Sequence, residues 1–468
     1  MMTFARRPRM TGTVAWLLCC TVGLAFADHA NTQRLLDAAD IRGGLAVVIG
    51  CDETGVATAL GREDSFLVHG VDTEQAKVDN ARDDLLANGL YGKVSVARFD
   101  GAHLPYADNL ANLIVLTEAG ELPRSELMRV LVPGGTVFDP SGAMVLRKPR
   151  PAAMDDWTHW LYGPEGNAVS KDRLVGPPRS VQWRAGPLWA RLHDAPSTTS
   201  AIVSEGGRVY YIVDEGLSGI YEGVVDKWFL VARDAFNGVL LWKRPMQEWG
   251  WKAWTANWHA RNNQPFQLPK RLVAVDDKVY VTLSFNGPMA ELDGATGDVL
   301  RTFDGTEGTD EILYRDGRFV LALNATPHEP SRKNETAIGK RIVRVNRDTG
   351  AVVWQQGVYN GVHAKTDSMQ PLGRLELTMG DDAVFFMEPD AVVALSLENG
   401  EELWRFERPD YETFHANFAT LMSELTVLVY SNGVLLFAQP QGGKAFHSVP
   451  GWLYALDAQT GDTLWERR

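Results

Sequence analysis

Three groups of residues in this 468-residue chain have types and spacings that suit chemistry. The first is Gly50, Cys51 and Gly55 after one apolar run, Asp72 at the end of a second, and Asp100 at the end of a third. Glycines where a strand stops let a ligand approach bare backbone, and carboxylates at neighbouring strand ends accept hydrogen bonds from its hydroxyl or amino groups. The second is Asp155, Asp156 and His159, which could ligate a metal or cap a short helix. The cap is the expected reading, and no metal site is assigned. The third is a tryptophan-rich stretch, Trp249, Trp251, Trp254 and Trp258, running into His259 and then Arg261, Asn262 and Asn263. Such a loop either offers a flat platform to a planar or sugar ring, with His259 and its polar followers as contacts, or folds back as a lid on its own domain.

These groups need elements to position them. Residues 32–147 alternate apolar runs with helical segments: LAVVIG (45–50), FLVHGVD (66–72), EQAKVDNARDDLLANGL, VSVARFD (94–100), NLIVLTEA and RSELMRVLVPGGTVFD. Strands alternating with helices of this length predict a parallel, doubly wound sheet, whose ligands sit at the carboxyl ends of the strands. That edge is where Gly50, Cys51, Asp72 and Asp100 fall.

From residue 198 onward the pattern changes to hairpins. LVARDAFNGVLLW, MAELDGATGDVLRTF, IVRVNRDTGAVVW, VVALSLENGEELW and LYALDAQTGDTLW place turn glycines at Gly238, Gly297, Gly350, Gly400 and Gly461. An Asx or Thr before Gly suits a tight hairpin, because Asx bonds its own backbone and Gly accepts the left-handed conformation. A second hairpin precedes each copy, so four antiparallel strands recur five times, as in propeller blades. Because such strands are antiparallel, short turns share one face and long connections the other. His259, His328, His363, His415 and His447 all fall in long connections and are expected on that one face, near Glu215, Glu222, Glu329 or Glu388 if they converge.

The ends and the composition bound the rest. Residues 1–27 read as a signal peptide: Arg6, Arg7 and Arg9, an apolar run from Val14 to Phe26, and Ala25-Phe26-Ala27 at the cleavage site. Removing those three arginines takes the net charge from −13 to −16. An acidic chain with no basic cluster excludes a nucleic-acid partner. No later run reaches membrane-spanning length, so no transmembrane segment is expected after signal removal. Of three cysteines, Cys19 and Cys20 leave with the signal, and Cys51 has no partner for a disulfide. The expected domains are a signal peptide (1–27), an α/β domain (28–147), a linker (148–180) held in place by Trp157, Trp160 and Tyr162, and the propeller (181–468).

Two resemblances follow from these motifs. Residues 32–147 resemble a class I S-adenosylmethionine-dependent methyltransferase domain, of Rossmann-like α/β fold. The resemblance implies that Gly50, Cys51 and Gly55 form the cofactor loop, that Asp72 bonds the ribose and that Asp100 lies at the adenine. It departs from that family in writing Asp52 and Glu53 inside the glycine loop and in offering no general base, so a degenerate domain is expected. Residues 198–468 resemble the pyrroloquinoline-quinone-type (PQQ-like) β-propeller through the ALDxxTGxxxW phrase. Quinone-dependent dehydrogenases of that family carry a vicinal cysteine pair and often a haem motif. This chain has no cysteine after Cys51, although Asp367 and Asp410 lie in loops suited to a base. Family propellers usually have more blades, so either five close, aided by SVQWRAG (180–186) as an added strand, or the chain is a shortened member. The expectation is a multidomain, exported, periplasmic or secreted protein with a non-catalytic binding role. Envelope proteins or a small ligand would dock on the long-loop face, with S-adenosylmethionine methylation or PQQ-dependent oxidation as enzymatic alternatives.

Overall fold

The computed structural model describes residues 32–468, apart from 52–53, 119–121, 179, 187–197, 217–222, 225, 257–263, 331–338, 362–372, 409–426 and 440–451. The chain divides into two compact bodies. The first runs to Pro151 and includes Phe236–Leu241; the second comprises Ala152–Ala235 and Trp242–Arg468.

The first body is a six-stranded sheet in the order β3-β2-β1-β4-β5-β6, with β1 Gly44–Ile49, β2 Phe66–Asp72, β3 Val94–Arg98, β4 Ala111–Leu116, β5 Leu131–Phe138 and β6 Met144–Arg147. Its first five strands are parallel and β6 runs antiparallel to β5. Helix α1 (residues 32–39) precedes β1, and α2 (Gly55–Arg62), α3 (Gln75–Ala87) and α4 (Arg124–Val130) make the crossovers. Near-continuous burial of β1 and β4 is what a parallel sheet covered on both faces requires. Val48, Leu60, Val68, Val78, Leu85 and Val115 share one core, and Val47, Val71, Ile114, Leu127, Val130 and Val137 share another. The short stretch after residue 142 therefore forms an antiparallel edge strand.

Among the described residues the second body contains five four-stranded antiparallel sheets, the expected propeller blades: β7 to β10 (Thr199–Pro245), β11 to β14 (Leu272–Thr302), β15 to β18 (Thr309–Asn360), β19 to β22 (Thr378–Glu407) and β23 to β26 (Val429–Arg467). Their first strands, β7, β11, β15, β19 and β23, neighbour one another in chain order. Residues 181–185 form no strand, so SVQWRAG does not supply the added one; Trp183 instead donates its indole N–H to Ala235 O at 3.0 Å.

Blades join through one repeated contact. Trp242, Trp354 and Trp404 each donate Nε1–H to a carbonyl of the following blade, Gly294, Leu397 and Ala458, at 2.9, 3.1 and 3.0 Å. Each acceptor stands three residues before a turn glycine, and that glycine lies over the indole. A β-carbon on Gly297, Gly400 or Gly461 would stand 2.6, 2.8 or 2.7 Å from Cδ2 of the ring, and all three glycines have φ between +75° and +78°. The glycine is thus required twice, for the turn and for the close approach. Where the second blade carries Phe303 in place of Trp, Arg301 makes the polar part of the contact, donating to Arg347 O and Asp348 O beside Gly350.

Candidate functional site

The carboxyl ends of β1, β2 and β4 bring together Gly50, Cys51, Asp72, Thr117 and Glu118. Gly50 has φ +99°, and a β-carbon there would meet Thr117 Oγ1 at 2.2 Å, so only glycine fits. Asp72 is 5% exposed; Oδ2 accepts Cys51 N–H at 2.8 Å and Oδ1 accepts Glu74 N–H at 2.9 Å. Two charge-assisted bonds satisfy a buried carboxylate and clamp the loop after β1 to the loop after β2. In this arrangement each Asp72 oxygen accepts one backbone N–H and keeps a second lone pair with which it could accept from a ligand hydroxyl. Lys77 on α3 pairs with Glu118 at 2.9 Å, and Thr117 Oγ1 donates to Ile49 O and Gly50 O at 3.0 and 3.1 Å. Gly55 begins α2. Asp100 is spent on its own turn, Oδ1 accepting Ala102 and His103 N–H at 2.8 and 2.7 Å; those backbone bonds lower its pKa. Asp52 and Glu53 lie outside the described residues. Sequence reasoning missed His69, whose Nδ1 lies 2.7 Å from Tyr106 Oη and whose pKa burial lowers.

In the second body, Trp251 and Trp254 are 5% and 1% exposed. Trp254 packs edge-on against Trp228 with centroids 6.2 Å apart and lies 6.0 Å from Phe285, which Trp249 also meets at 6.2 Å. Buried rings of this kind serve as a packed wedge, with no open face for a ligand. Trp258 and His259, with Arg261, Asn262 and Asn263, lie outside the described residues, as do His363, His415, His447, Glu222, Asp367 and Asp410. His328 is buried with Nε2 at 2.9 Å from Trp254 O, while Glu388 accepts Asn360 N–H at 2.9 Å and pairs with Arg405 at 2.7 Å.

The segment after Pro151 is the unexpected feature. It crosses the first strand of every blade in turn. Ser204 N–H donates to Trp157 O (2.7 Å), Ala274 to Thr158 O (3.0 Å), Met379 to Pro164 O (2.8 Å) and Tyr430 to Glu165 O (2.9 Å). Tyr314 N–H, from the third blade, donates to His159 Nε2 at 3.1 Å. His159 is fully enclosed and burial lowers its pKa to about 3, so the neutral ring accepts at Nε2 and turns Nδ1–H to Thr158 Oγ1 at 2.7 Å. Both ring nitrogens have protein partners. Asp155 caps loops, accepting Lys171 N–H and Ser170 Oγ–H. Among the described residues no group of three or more acidic, His or Cys side chains is placed to hold a metal.

Beneath this strap lie two ionic networks. Lys270 Nζ reaches Glu376 at 2.6 Å and Glu311 at 3.0 Å, Arg374 Nε reaches Glu376 at 3.0 Å, and Lys270 faces the Trp160 ring at 5.3 Å. Arg271 and Lys340 share Asp310 at 2.6 and 2.5 Å, Lys340 also donates to Asn324 Oδ1 at 2.6 Å, and Arg271 donates to Phe285 O at 2.6 Å. Burial would raise the pKa of Asp310, but Lys340 and Arg271 outweigh it and hold the carboxyl below its usual range. His159, Trp160, Lys270, Glu311, Glu376 and Thr378 border a cavity of about 30 Å³. That admits a water or two, whereas organic ligands occupy hundreds of cubic ångströms. Paired like charges set beside apolar runs, Lys270-Arg271 and Asp310-Glu311, were the available sequence signal.

Burial, reinforced by Glu376 and only partly offset by Lys270, pushes the Glu311 carboxyl up to about 7. The unfolded chain releases that proton near 4.5, so between these values the native state binds more protons and stability falls as pH rises. Glu311→Gln is expected to flatten that decline, read as a smaller difference in urea midpoint between pH 5 and pH 7.5 than in the parent chain. An unchanged difference would assign the slope to other groups.

Comparison with known proteins agrees with these two architectures. Residues 326–468 match the family model described as outer membrane protein assembly factor BamB. Over 120 residues the chain is 32% identical to the methyltransferase GfsG of Streptomyces halstedii, 24% of this chain and 43% of that protein, so it spans less than half of that relative's length. Among solved structures, geranyl diphosphate C-methyltransferase of Streptomyces coelicolor A3(2) shares 20% identity over 24% of this chain and 44% of its own, with TM-score 0.22. The YcgJ protein of Bacillus subtilis shares 20% over 24% and 50%, with TM-score 0.21. The chain joins a methyltransferase-like Rossmann-type α/β domain to a C-terminal PQQ-like repeat domain built of propeller blades.

Proposed function

We propose that the protein is an exported binding or scaffolding component of the cell envelope, with the long-connection face of its propeller as the contact surface and no catalysis of its own. The observation that supports this reading is the strap of residues 157–165, hydrogen-bonded to the first strand of all five blades. Beside the strap lies a cavity of about 30 Å³. The match to an outer membrane assembly factor over residues 326–468 agrees with an envelope role. No described helix is long and apolar enough to cross a membrane. The test is thermal unfolding with S-adenosylmethionine, and separately with pyrroloquinoline quinone plus calcium. A bound ligand at about 100 times its Kd stabilises its own domain by about 2.7 kcal/mol. No shift with either is expected; a shift of the propeller transition with quinone would replace this reading by quinone-dependent oxidation.

The second reading, S-adenosylmethionine-dependent methylation in the first body, is favoured by Gly50 and Asp72 at adjacent strand ends and by the likeness to a methyltransferase. If it holds, calorimetry detects S-adenosylmethionine binding to the parent chain, and Asp72→Ala weakens it at least tenfold by loss of a bidentate acceptor worth about 1.5–3 kcal/mol per bond. Equal binding by the variant removes Asp72 from the site.

A further inference from the structure

The ionic network around Asp310 is short of both negative charge and hydrogen-bond acceptors. Arg271 and Lys340 share the Asp310 carboxylate at 2.6 and 2.5 Å, and neither cation pairs with another carboxylate among the described residues. Glu311, next along the chain, is committed to Lys270 and to Leu377 N–H. Burial lowers the pKa of both cations, Asp310 being the main group opposing it, and it keeps the neighbouring His328 ring neutral. Two enclosed positive charges therefore meet one negative charge, where an uncompensated charge is costly. Four buried donors in the same region have no acceptor in the protein: Arg271 Nε–H, Asn324 Nδ2–H, Trp249 Nε1–H and Trp254 Nε1–H. Their side chains are 0%, 2%, 7% and 1% exposed. Phe285 is the centre about which three of them gather, with the guanidinium 4.5 Å from its centroid and the indoles of Trp254 and Trp249 at 6.0 and 6.2 Å. The fourth is tied in by Lys340, which donates to Asn324 Oδ1 at 2.6 Å and so fixes the amide with Nδ2 as its remaining end.

We propose that the cluster of Arg271, Lys340, Asn324, Trp249 and Trp254 binds one compact monovalent anion, a halide or a formate-sized carboxylate. Charge and hydrogen bonding call for the same occupant. One negative charge balances the second cation, whereas a divalent anion would reverse the imbalance. Water would accept from the donors and leave the charge excess in place. A metal ion is excluded by its sign, since it would add to two cations already sharing a single carboxylate. The occupant is small because Arg271 and Lys340 have no exposed surface, so it is enclosed by the side chains that hold it. Donors of this kind suit an anion, because hydrogen bonds to a charged acceptor are about twice as strong as neutral ones. The faces of the Trp254 ring are taken by Trp228 and Phe285, which leaves its N–H edge as the part that meets the ion. The site does not rest on the scaffolding role proposed above.

The probes are sodium chloride and, in a parallel series, sodium formate, each replacing sodium gluconate at constant ionic strength around the full chain at pH 7. Gluconate is the reference because it is too large to be enclosed. Urea unfolding followed by tryptophan fluorescence reads the second body. The midpoint is expected to rise with chloride or formate, and above the dissociation constant the unfolding equilibrium constant falls tenfold for each tenfold rise in the anion. A response to chloride alone assigns the site to halides, and one to formate alone assigns it to carboxylates. Asn324→Asp sets a carboxylate oxygen where the amide nitrogen stood. It is expected to unfold at a higher midpoint than the parent in gluconate and to lose the response. Trp254→Phe keeps an aromatic ring in the packing and deletes one donor, so it is expected to raise the anion concentration required by about tenfold, the loss for one hydrogen bond to a charged group. It decides the matter if the aspartate variant fails to fold. Two results overturn the proposal. Equal midpoints in chloride, formate and gluconate would leave water as the acceptor, and a response unchanged in both variants would place the anion elsewhere.

Discussion

Trp404→Ala is expected to destabilise the second body by about 3–5 kcal/mol, the range for truncating a buried aromatic. Three losses combine. The indole packs under Gly461 and against Phe385, with centroids 5.7 Å apart, and its removal opens a cavity that the rigid hairpin turn cannot collapse into. The Ala458 carbonyl loses its donor at 3.0 Å in a buried setting. The fourth and fifth blades then lose the contact that registers them. Trp465→Ala, the same substitution one repeat later, is expected to change stability by under about 1 kcal/mol, because the ring is exposed and no turn rests on it. Urea unfolding followed by tryptophan fluorescence makes the comparison clean. Only Trp16 precedes residue 157, so the signal reports almost wholly on the second body. Equal losses for the two variants would mean that the indole matters within its own blade and does not join blades.

Asp310→Asn is expected to have an effect of similar size, about 3–5 kcal/mol, for an electrostatic reason. Asp310 is the shared anion for Arg271 and Lys340, all three enclosed, and neither cation has another carboxylate in the described contacts. The amide keeps the volume but leaves two buried positive charges with no counter-charge. Burial already lowers the pKa of Lys340, with Asp310 the main group opposing it. In the variant Lys340 is expected to shed its proton to relieve the repulsion. The loss in stability is therefore smaller at pH 10 than at pH 6, where giving up a proton that the unfolded chain keeps costs most. A loss independent of pH would indicate that hydrogen-bond geometry, and not charge, sets the cost. Replacing all three residues together by apolar ones of matching volume would recover much of the stability, since pairing inside a protein offsets desolvation only partly.

Much of the architecture was legible in the sequence because it rests on local rules. Alternating strands and helices over 32–147 imply a parallel sheet by short-range periodicity, and β1 and β2 fall within a residue of LAVVIG and FLVHGVD. The five turn glycines mark hairpins because φ near +75° is a property of single residues, and the structure places all five there. Fixed spacing of Trp after four of the five turns announced a repeated contact. The candidate site was less legible. Gly50, Cys51 and Asp72 do meet at one edge, since strand ends of a doubly wound sheet share that edge. The sequence did not say that Asp72 would spend both oxygens on backbone N–H groups. The stretch around Trp251 and Trp254 was open between platform and lid, and burial on Trp228 and Phe285 decides for packing at those two residues.

What the sequence by itself determined, then, is the class of each domain and the five legible blade repeats, because periodicity and turn chemistry act within a few residues. The tertiary structure alone decided three things. Residues 157–165 lie across five first strands, 47 to 265 residues away along the chain, because their carbonyls and His159 Nε2 meet N–H groups there that need acceptors. Lys270 pairs with Glu376, 106 residues on, because burial makes a lone charge intolerable and the nearest carboxylate in space is not the nearest in sequence. Trp465 differs from Trp404 although both follow the same phrase, since an indole is buried by what the next blade places on it, a property that no single repeat contains.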